Sequence, residues 1–105
     1  MALLIGMSGP VKGQTFALNK DRTILGRNAS NDIVVADEAV SSQHCYIARR
    51  GDRYVLRDLN STNGTIVVFP DGRSVHLVQG QSIDLVIGGA IDLGDAQTIS
   101  LLAPQ

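Results

Sequence analysis

Three stretches of this 105-residue chain gather side chains that a hydrophobic core does not need and that chemistry can use. At Gly26-Arg27 the glycine permits close approach of backbone or ligand, and the arginine presents a planar five-donor fork suited to phosphate or carboxylate. At Ser41-Ser42-Gln43-His44-Cys45, hydroxyls, an imidazole and a thiol stand in a row. At Asp58-Leu59-Asn60-Ser61-Thr62-Asn63-Gly64-Thr65, hydroxyls crowd around Asn63-Gly64, itself a good hairpin-turn dipeptide, and offer donors to a bound backbone or anion. Each stretch also has a plain structural reading: a solvated arginine at a turn, a loop entering a strand, a hairpin.

Catalysis is the weakest use of these residues. Ser41 or Ser42 with His44 and an acid is the inventory of a hydrolase, but neither glycine of the G-x-S-x-G elbow surrounds them. In a strand, neighbouring side chains point to opposite faces, so His44 does not readily activate Cys45. Cys45 shares a face with Ile47 and reads as a small buried hydrophobe. His44 has His76 as its sole histidine companion, too little for a metal site. Its expected work is a structural hydrogen bond that fixes the loop before it. No catalytic residue, metal or cofactor is expected.

The elements that must position these residues are strands. Val and Ile total 19, there are 11 Gly, and Asp outnumbers Glu nine to one, a bias toward strands and turns. Short apolar or alternating runs recur at Leu3–Met7, Thr15–Leu18, Thr23–Leu25, Ile33–Val35, Cys45–Arg49 and Tyr54–Leu59. They continue at Thr65–Phe69, Val75–Val78, Ser82–Ile87, Ala90–Leu93 and Thr98–Leu102. Turn signals such as Ser8-Gly9-Pro10, Arg50-Gly51-Asp52 and Pro70-Asp71-Gly72 separate them. The pattern predicts an all-β, eleven-stranded, two-sheet β-sandwich. Ala36–Arg50 lacks Gly and Pro and carries acids early and arginines late, as a helix can. Its apolar positions keep no helical face, so a loop followed by a strand is expected. Gly80-Gln81-Ser82-Ile83-Asp84-Leu85 is echoed by Gly89-Ala90-Ile91-Asp92-Leu93, as successive hairpin strands would give.

Composition excludes several functions. Nine Lys and Arg against ten Asp and Glu give a net charge of -1, which argues against a broad nucleic-acid surface. No Trp, two Tyr and two Phe leave few platforms for stacking bases. One Cys rules out an intrachain disulfide framework. No apolar run approaches the ~18 residues that cross a bilayer. The opening Ala2-Leu3-Leu4-Ile5 is too short for a signal peptide, and Pro104-Gln105 carries no C-terminal signal. A cytoplasmic setting without membrane or nucleic-acid partners is expected. The chain reads as a single domain over 1–105, which could be excised from a longer protein; nothing in it sets an oligomeric state.

Taken together, Gly26-Arg27, Asn31-Asp32-Ile33, Val40-Ser41-x-x-His44, Tyr54-x-Leu56-x-Asp58-Leu59 and Ser61-Thr62-Asn63-Gly64-Thr65 resemble, in order and spacing, the forkhead-associated (FHA) domain. The resemblance covers about residues 2–102, and its specific part is residues 23–65. It implies a sandwich whose loops at one end bind phosphothreonine peptides in Ser/Thr kinase signalling. Carried over by position, Arg27, Ser41 and Thr62 would line the phosphothreonine site, with Ser42 beside them, and Asn63 would hold the peptide backbone. Gly26, His44, Asp58 and Gly64 would structure the loops. A preference for phosphothreonine over phosphoserine, through a small pocket for the methyl group, is likewise implied.

Two positions depart from the family pattern. Ser42 stands where many members carry Arg or Asn, so a further donor from Arg22 or Arg49 is a possible substitute. Val68 stands where many carry Asn, which predicts a longer hairpin and an altered neighbouring peptide surface. Asp37 and Glu38, just before the binding loop, either repel extra negative charge on a ligand or are simply solvated. The leading expectation is a phosphothreonine-dependent interaction module; Ser42 and Val68 are the grounds for a lesser competing one, an FHA-fold scaffold or oligomerisation domain that binds its partner independently of phosphate.

Overall fold

A computed structural model of the chain describes residues 2–94 and 97–102; the Pro104-Gln105 end lies outside them. Among the described residues there are eleven strands: β1 (Leu3–Gly6), β2 (Thr15–Ala17), β3 (Arg22–Gly26), β4 (Ile33–Val34), β5 (Cys45–Arg50), β6 (Arg53–Asp58), β7 (Thr65–Val68), β8 (Ser74–Leu77), β9 (Ser82–Leu85), β10 (Ala90–Leu93) and β11 (Gln97–Leu102). They form a six-stranded sheet, ordered β2-β1-β11-β10-β7-β8, and a five-stranded sheet, ordered β4-β3-β5-β6-β9. The β3–β4 pair is parallel, and the other pairs among the described residues are antiparallel.

Alternation along the strands builds the core, because side chains two apart share a face. Leu4, Val67, Ile91 and Ile99 from the larger sheet meet Leu25, Ile47 and Leu56 from the smaller one in a single buried cluster. Each such side chain contributes about 1.5–3 kcal/mol relative to an exposed one. The expected all-β sandwich is therefore present, and Ala36–His44 is loop, with strand beginning at Cys45.

The Ser8-Gly9-Pro10 turn signal agrees with the structure, and three local expectations after it are corrected. Ser8-Gly9-Pro10 leads into a single 3-10 turn, Gly9–Val11, whose Pro10 sits where a missing N–H costs nothing. The run from Ser82 stops at Leu85, and the Gly89 N–H donates to the Val86 carbonyl at 2.9 Å to close a turn. Asn63-Gly64 is not a hairpin turn: β6 lies in the five-stranded sheet and β7 in the six-stranded one, so this loop crosses between sheets. The repeated Gly80 and Gly89 segments are not successive hairpin strands either. β9 pairs with β6, whereas β10 pairs with β7 and β11. What they share is the turn before them, since Gln81 N–H donates to Val78 at 3.0 Å much as Gly89 does to Val86.

Register places three loops at one end. Leu25 pairs with Cys45, and Cys45 pairs with Asp58. The end of β3, the start of β5 and the end of β6 thus lie side by side, and the loops that follow or precede them meet.

Candidate functional site

The meeting loops are tied to one another chiefly through backbone groups. Arg27 N–H donates to the Ser41 carbonyl at 2.9 Å and Asn28 N–H to the Ser42 carbonyl at 3.1 Å. Val35 N–H returns to the Gly26 carbonyl at 2.8 Å. Asn31, whose side-chain amide donates to the Ser42 carbonyl at 2.6 Å, clamps the same two loops. These bonds require Gly26: a Cβ there would stand 2.4 Å from the Ser42 oxygen and 2.6 Å from the Asn31 amide nitrogen. At the base of the first loop, Asp32 accepts from Ile24 N–H at 2.8 Å and from Lys20. The Lys20 ammonium, with that amide, holds the Asp32 carboxyl below the usual range.

His44 joins the second loop to the third. Its side chain is fully buried. The Ser41 N–H donates to Nδ1 at 3.1 Å, which makes Nε2 the protonated nitrogen, and Nε2 lies 2.8 Å from the Gly64 carbonyl. A neutral imidazole thus spends its one acceptor and its one donor on the two loops. Burial holds the imidazole below its ordinary value, against the opposing effects of the Gly64 carbonyl and the Asp58 carboxylate. The His44 carbonyl also accepts from Leu59 N–H at 2.9 Å.

Asp58 organises the third loop from below. Its fully buried carboxylate accepts from the Ser61 N–H at 3.1 Å, from the Ser61 hydroxyl, and from the Thr65 hydroxyl at 2.8 Å. Two of the three hydroxyls expected to face a ligand are therefore committed inward, and Thr62 is the exposed one. Gly64 has φ +79°, and a Cβ on it would stand 2.1 Å from His76 Nε2. The left-handed backbone is what demands glycine, since the exposed His76 imidazole could turn aside.

The rim is formed by the exposed Arg27, Ser42, Thr62 and Asn63 around the half-buried Ser41. Thr62 N–H donates to Ser41 Oγ at 3.0 Å, and the two hydroxyl oxygens stand 3.4 Å apart. Asn63 donates its side-chain amide to the Ala39 carbonyl at 2.9 Å, leaving Oδ1 as its available group. Ser42 is exposed and is held through its carbonyl. The Arg27 guanidinium is exposed and makes no hydrogen bond or ion pair among the described residues.

Other expectations around the site change. Arg22 and Arg49 do not stand among these loops. Arg22 lies 4.2 Å from the Tyr46 ring centroid, and Arg49 faces Asp21 at 3.7 Å, near the far end of β5. Val68 lies at the end of β7 away from Gly64, next to the turn closed by Phe69 N–H on the Arg73 carbonyl at 2.7 Å, and not at the loop end. Asp37 is a loop brace, accepting from Ala39 N–H at 2.8 Å. Burial pushes the Cys45 thiol up, which removes it as a nucleophile. No group of three metal-ligating side chains occurs among the described residues. No helix there is long and apolar enough to cross a membrane. Asn31, absent from the residues expected to structure the loops, is the clamp that local reading missed. Asn31 belongs to the Asn31-Asp32-Ile33 piece of the motif, but its partner lies eleven positions away, so the sequence alone assigns it no role.

Comparison with known proteins agrees with this geometry. The FHA domain family model matches residues 23–94. The oxoglutarate dehydrogenase inhibitor of Corynebacterium jeikeium is 41% identical over 66 residues, which are 63% of this chain and 46% of that protein. An FHA domain from Chlamydia trachomatis superposes with a TM-score of 0.81 at 28% identity, covering 99% of this chain and 98% of the other. Mycobacterium tuberculosis EmbR, solved with a low-affinity phosphopeptide, gives a TM-score of 0.76 at 28% identity over 99% of this chain and 25% of its own. The chain spans less than half the length of the curated relatives it matches. The family match, the sandwich and the three interlocked loops agree: the chain belongs to the forkhead-associated (FHA) domain family of phosphothreonine-peptide-binding interaction modules.

Proposed function

We propose that the rim of Arg27, Ser41, Ser42 and Thr62 takes the phosphate of a phosphothreonine on a partner protein, with Asn63 Oδ1 accepting from the peptide backbone. The observation that carries this reading is the uncommitted Arg27 side chain, set beside Ser41 by the 2.9 Å bond between their backbones. A phosphate brings roughly -1.5 to -2 charges and three strong acceptor oxygens. One guanidinium fork supplies paired charge-assisted donors. Ser41 Oγ accepts from Thr62 N–H, and its hydroxyl proton, which spans a long 3.4 Å to Thr62 Oγ1, turns from that weak bond to donate toward the anion. The exposed Ser42 hydroxyl supplies a further donor. The partner is a substrate of a Ser/Thr kinase, met in the cytoplasm, and the lone buried thiol suits that reducing setting.

Calorimetric titration with phosphothreonine, phosphoserine and unmodified forms of one peptide tests the reading. Binding of the phosphothreonine form, weaker binding of phosphoserine and none of the unmodified peptide are expected. Equal binding of phosphorylated and unmodified peptides would overturn it and favour the phosphate-independent scaffold.

A further inference from the structure

The outer face of the five-stranded sheet takes no part in the loop site, and it concentrates positive charge. Register puts Arg22 opposite Ala48, Arg57 opposite Tyr46 and Arg53 opposite Arg50, all on one face. Four of the chain's nine basic residues thus meet on a few cross-strand rows. The acid placed on the same face is Asp84, 3.8 Å from Arg53. No carboxylate stands within ion-pair distance of Arg22, Arg50 or Arg57 among the described residues. Like charges directly opposed, as at Arg50 and Arg53, destabilise a sheet. The fold offsets that cost only through the exposed 3.8 Å ion pair of Arg53 with Asp84, and Arg50 has no carboxylate partner among the described residues.

The face is also shaped. One depression of about 820 Å³ runs from Arg22 and Tyr46 past Arg57 to Asn60, the residue before Ser61. A second, of about 270 Å³, continues over Ala48 between Arg50, Arg53 and Val55. Ala48 is 2% exposed yet lies outside the core cluster, so side chains of the outer face itself bury it. The Arg22 guanidinium lies 4.2 Å from the Tyr46 ring centroid, an arrangement that limits its freedom before any ligand arrives.

We propose that this face docks an acidic, Asp- or Glu-rich segment of a protein partner. Guanidinium groups match carboxylates bidentately and are weakly hydrated, which suits them to such pairing at a surface. The groove follows β5 from Tyr46 to Arg50, about 13 Å, the length of four or five extended residues. That length suits a short peptide. Nucleic acid is disfavoured because the face offers four cations and one aromatic ring, where a nucleic-acid footprint uses ~6–10 phosphate contacts. The proposal does not depend on the phosphothreonine reading, since the arginines involved are not those of the loop rim.

Hexaglutamate is the probe, followed by backbone-amide NMR and by titration. Shifts at Tyr46, Ala48 and Arg57, with Ser41 and Thr62 unmoved, are expected. Affinity falls about tenfold between roughly 0.02 M and 0.3 M salt, as screening shortens the reach of the charges. An Arg50→Ala/Arg57→Ala variant weakens binding at least about tenfold, whereas Lys12→Ala/Arg73→Ala and Arg27→Ala leave it unchanged; an Arg50→Gln/Arg57→Gln pair stands in if the first melts early. Shifts confined to other surfaces, equal loss in the Lys12→Ala/Arg73→Ala control, or tighter binding of a single-stranded oligonucleotide to this face would each overturn the proposal. Loss of phosphothreonine binding with hexaglutamate binding intact would count against the loop reading alone.

Discussion

The loop end and the outer face of the five-stranded sheet both present arginine to solvent, and they differ in what surrounds it. At the loop end one guanidinium, Arg27, stands among hydroxyls and amides held by inter-loop hydrogen bonds, with His44 and Asp58 fully buried beneath. On the sheet face, four arginines share a shallow surface fixed by register, with one aromatic contact and one weak ion pair. The first arrangement suits a defined group, because its donors are placed before a ligand comes. The second reads charge density, which is salt-dependent and tolerant of sequence. A net charge of -1 describes neither. It is the sum of a face rich in cations and a remainder rich in aspartate.

The sharpest way to break the contrast is to remove the single cation. Arg27→Ala is expected to lower phosphothreonine-peptide affinity at least about 1000-fold, ~4.1 kcal/mol, with the melting temperature unchanged. Losing Arg50 and Arg57 together is expected to leave a short phosphothreonine peptide bound as before. If both variants weakened that peptide equally, the two regions would not be distinct sites.

His44→Ala attacks the support and not the contact. It leaves the Ser41 N–H and the Gly64 carbonyl without their side-chain partner and opens a cavity, for a stability loss of about 2–4 kcal/mol by denaturant unfolding. Gly26→Ala is expected to cost about 1–3 kcal/mol, because the new Cβ must displace the Ser42 carbonyl, and to weaken phosphopeptide binding in parallel. A Gly26→Ala protein that melted and bound like the wild type would show that the loops are not rigidly clamped there.

The smallest effect expected is that of pH. His44 has a folded-state value below the unfolded one, so the unfolded chain takes up a proton that the native loops refuse. Stability contributed by the neutral imidazole is complete above about pH 6.5 and declines as pH falls toward the folded value. His44 takes no part in the sheet face, so hexaglutamate binding is expected to change little between about pH 7.5 and pH 6 while the melting temperature begins to drop. His44→Gln is expected to flatten the thermal trend.

Much of the loop end was legible because its signals are local. Gly26-Arg27, the Ser41-to-His44 spacing and the Asp58-to-Thr65 run announce themselves within a few residues. What was not legible depended on partners far along the chain. Asn63-Gly64 carries the same dipeptide signal in a hairpin as in a crossover, and only the pairing of β6 with β9 and β7 with β10 decides between them. Arg22, Arg50, Arg53 and Arg57 look scattered in sequence, and antiparallel register alone gathers them. The inward turn of Ser61 and Thr65 toward Asp58 was hidden for the same reason that makes it work: a buried carboxylate takes the donors that seemed free.

The phosphothreonine site is tested most directly by an amide-shift map recorded while a phosphothreonine peptide is titrated into the protein. Saturable changes are expected at Arg27, Ser41, Thr62 and Asn63, and they vanish when the phosphate is removed. Changes confined to the sheet face, or of equal size with the unmodified peptide, would contradict it.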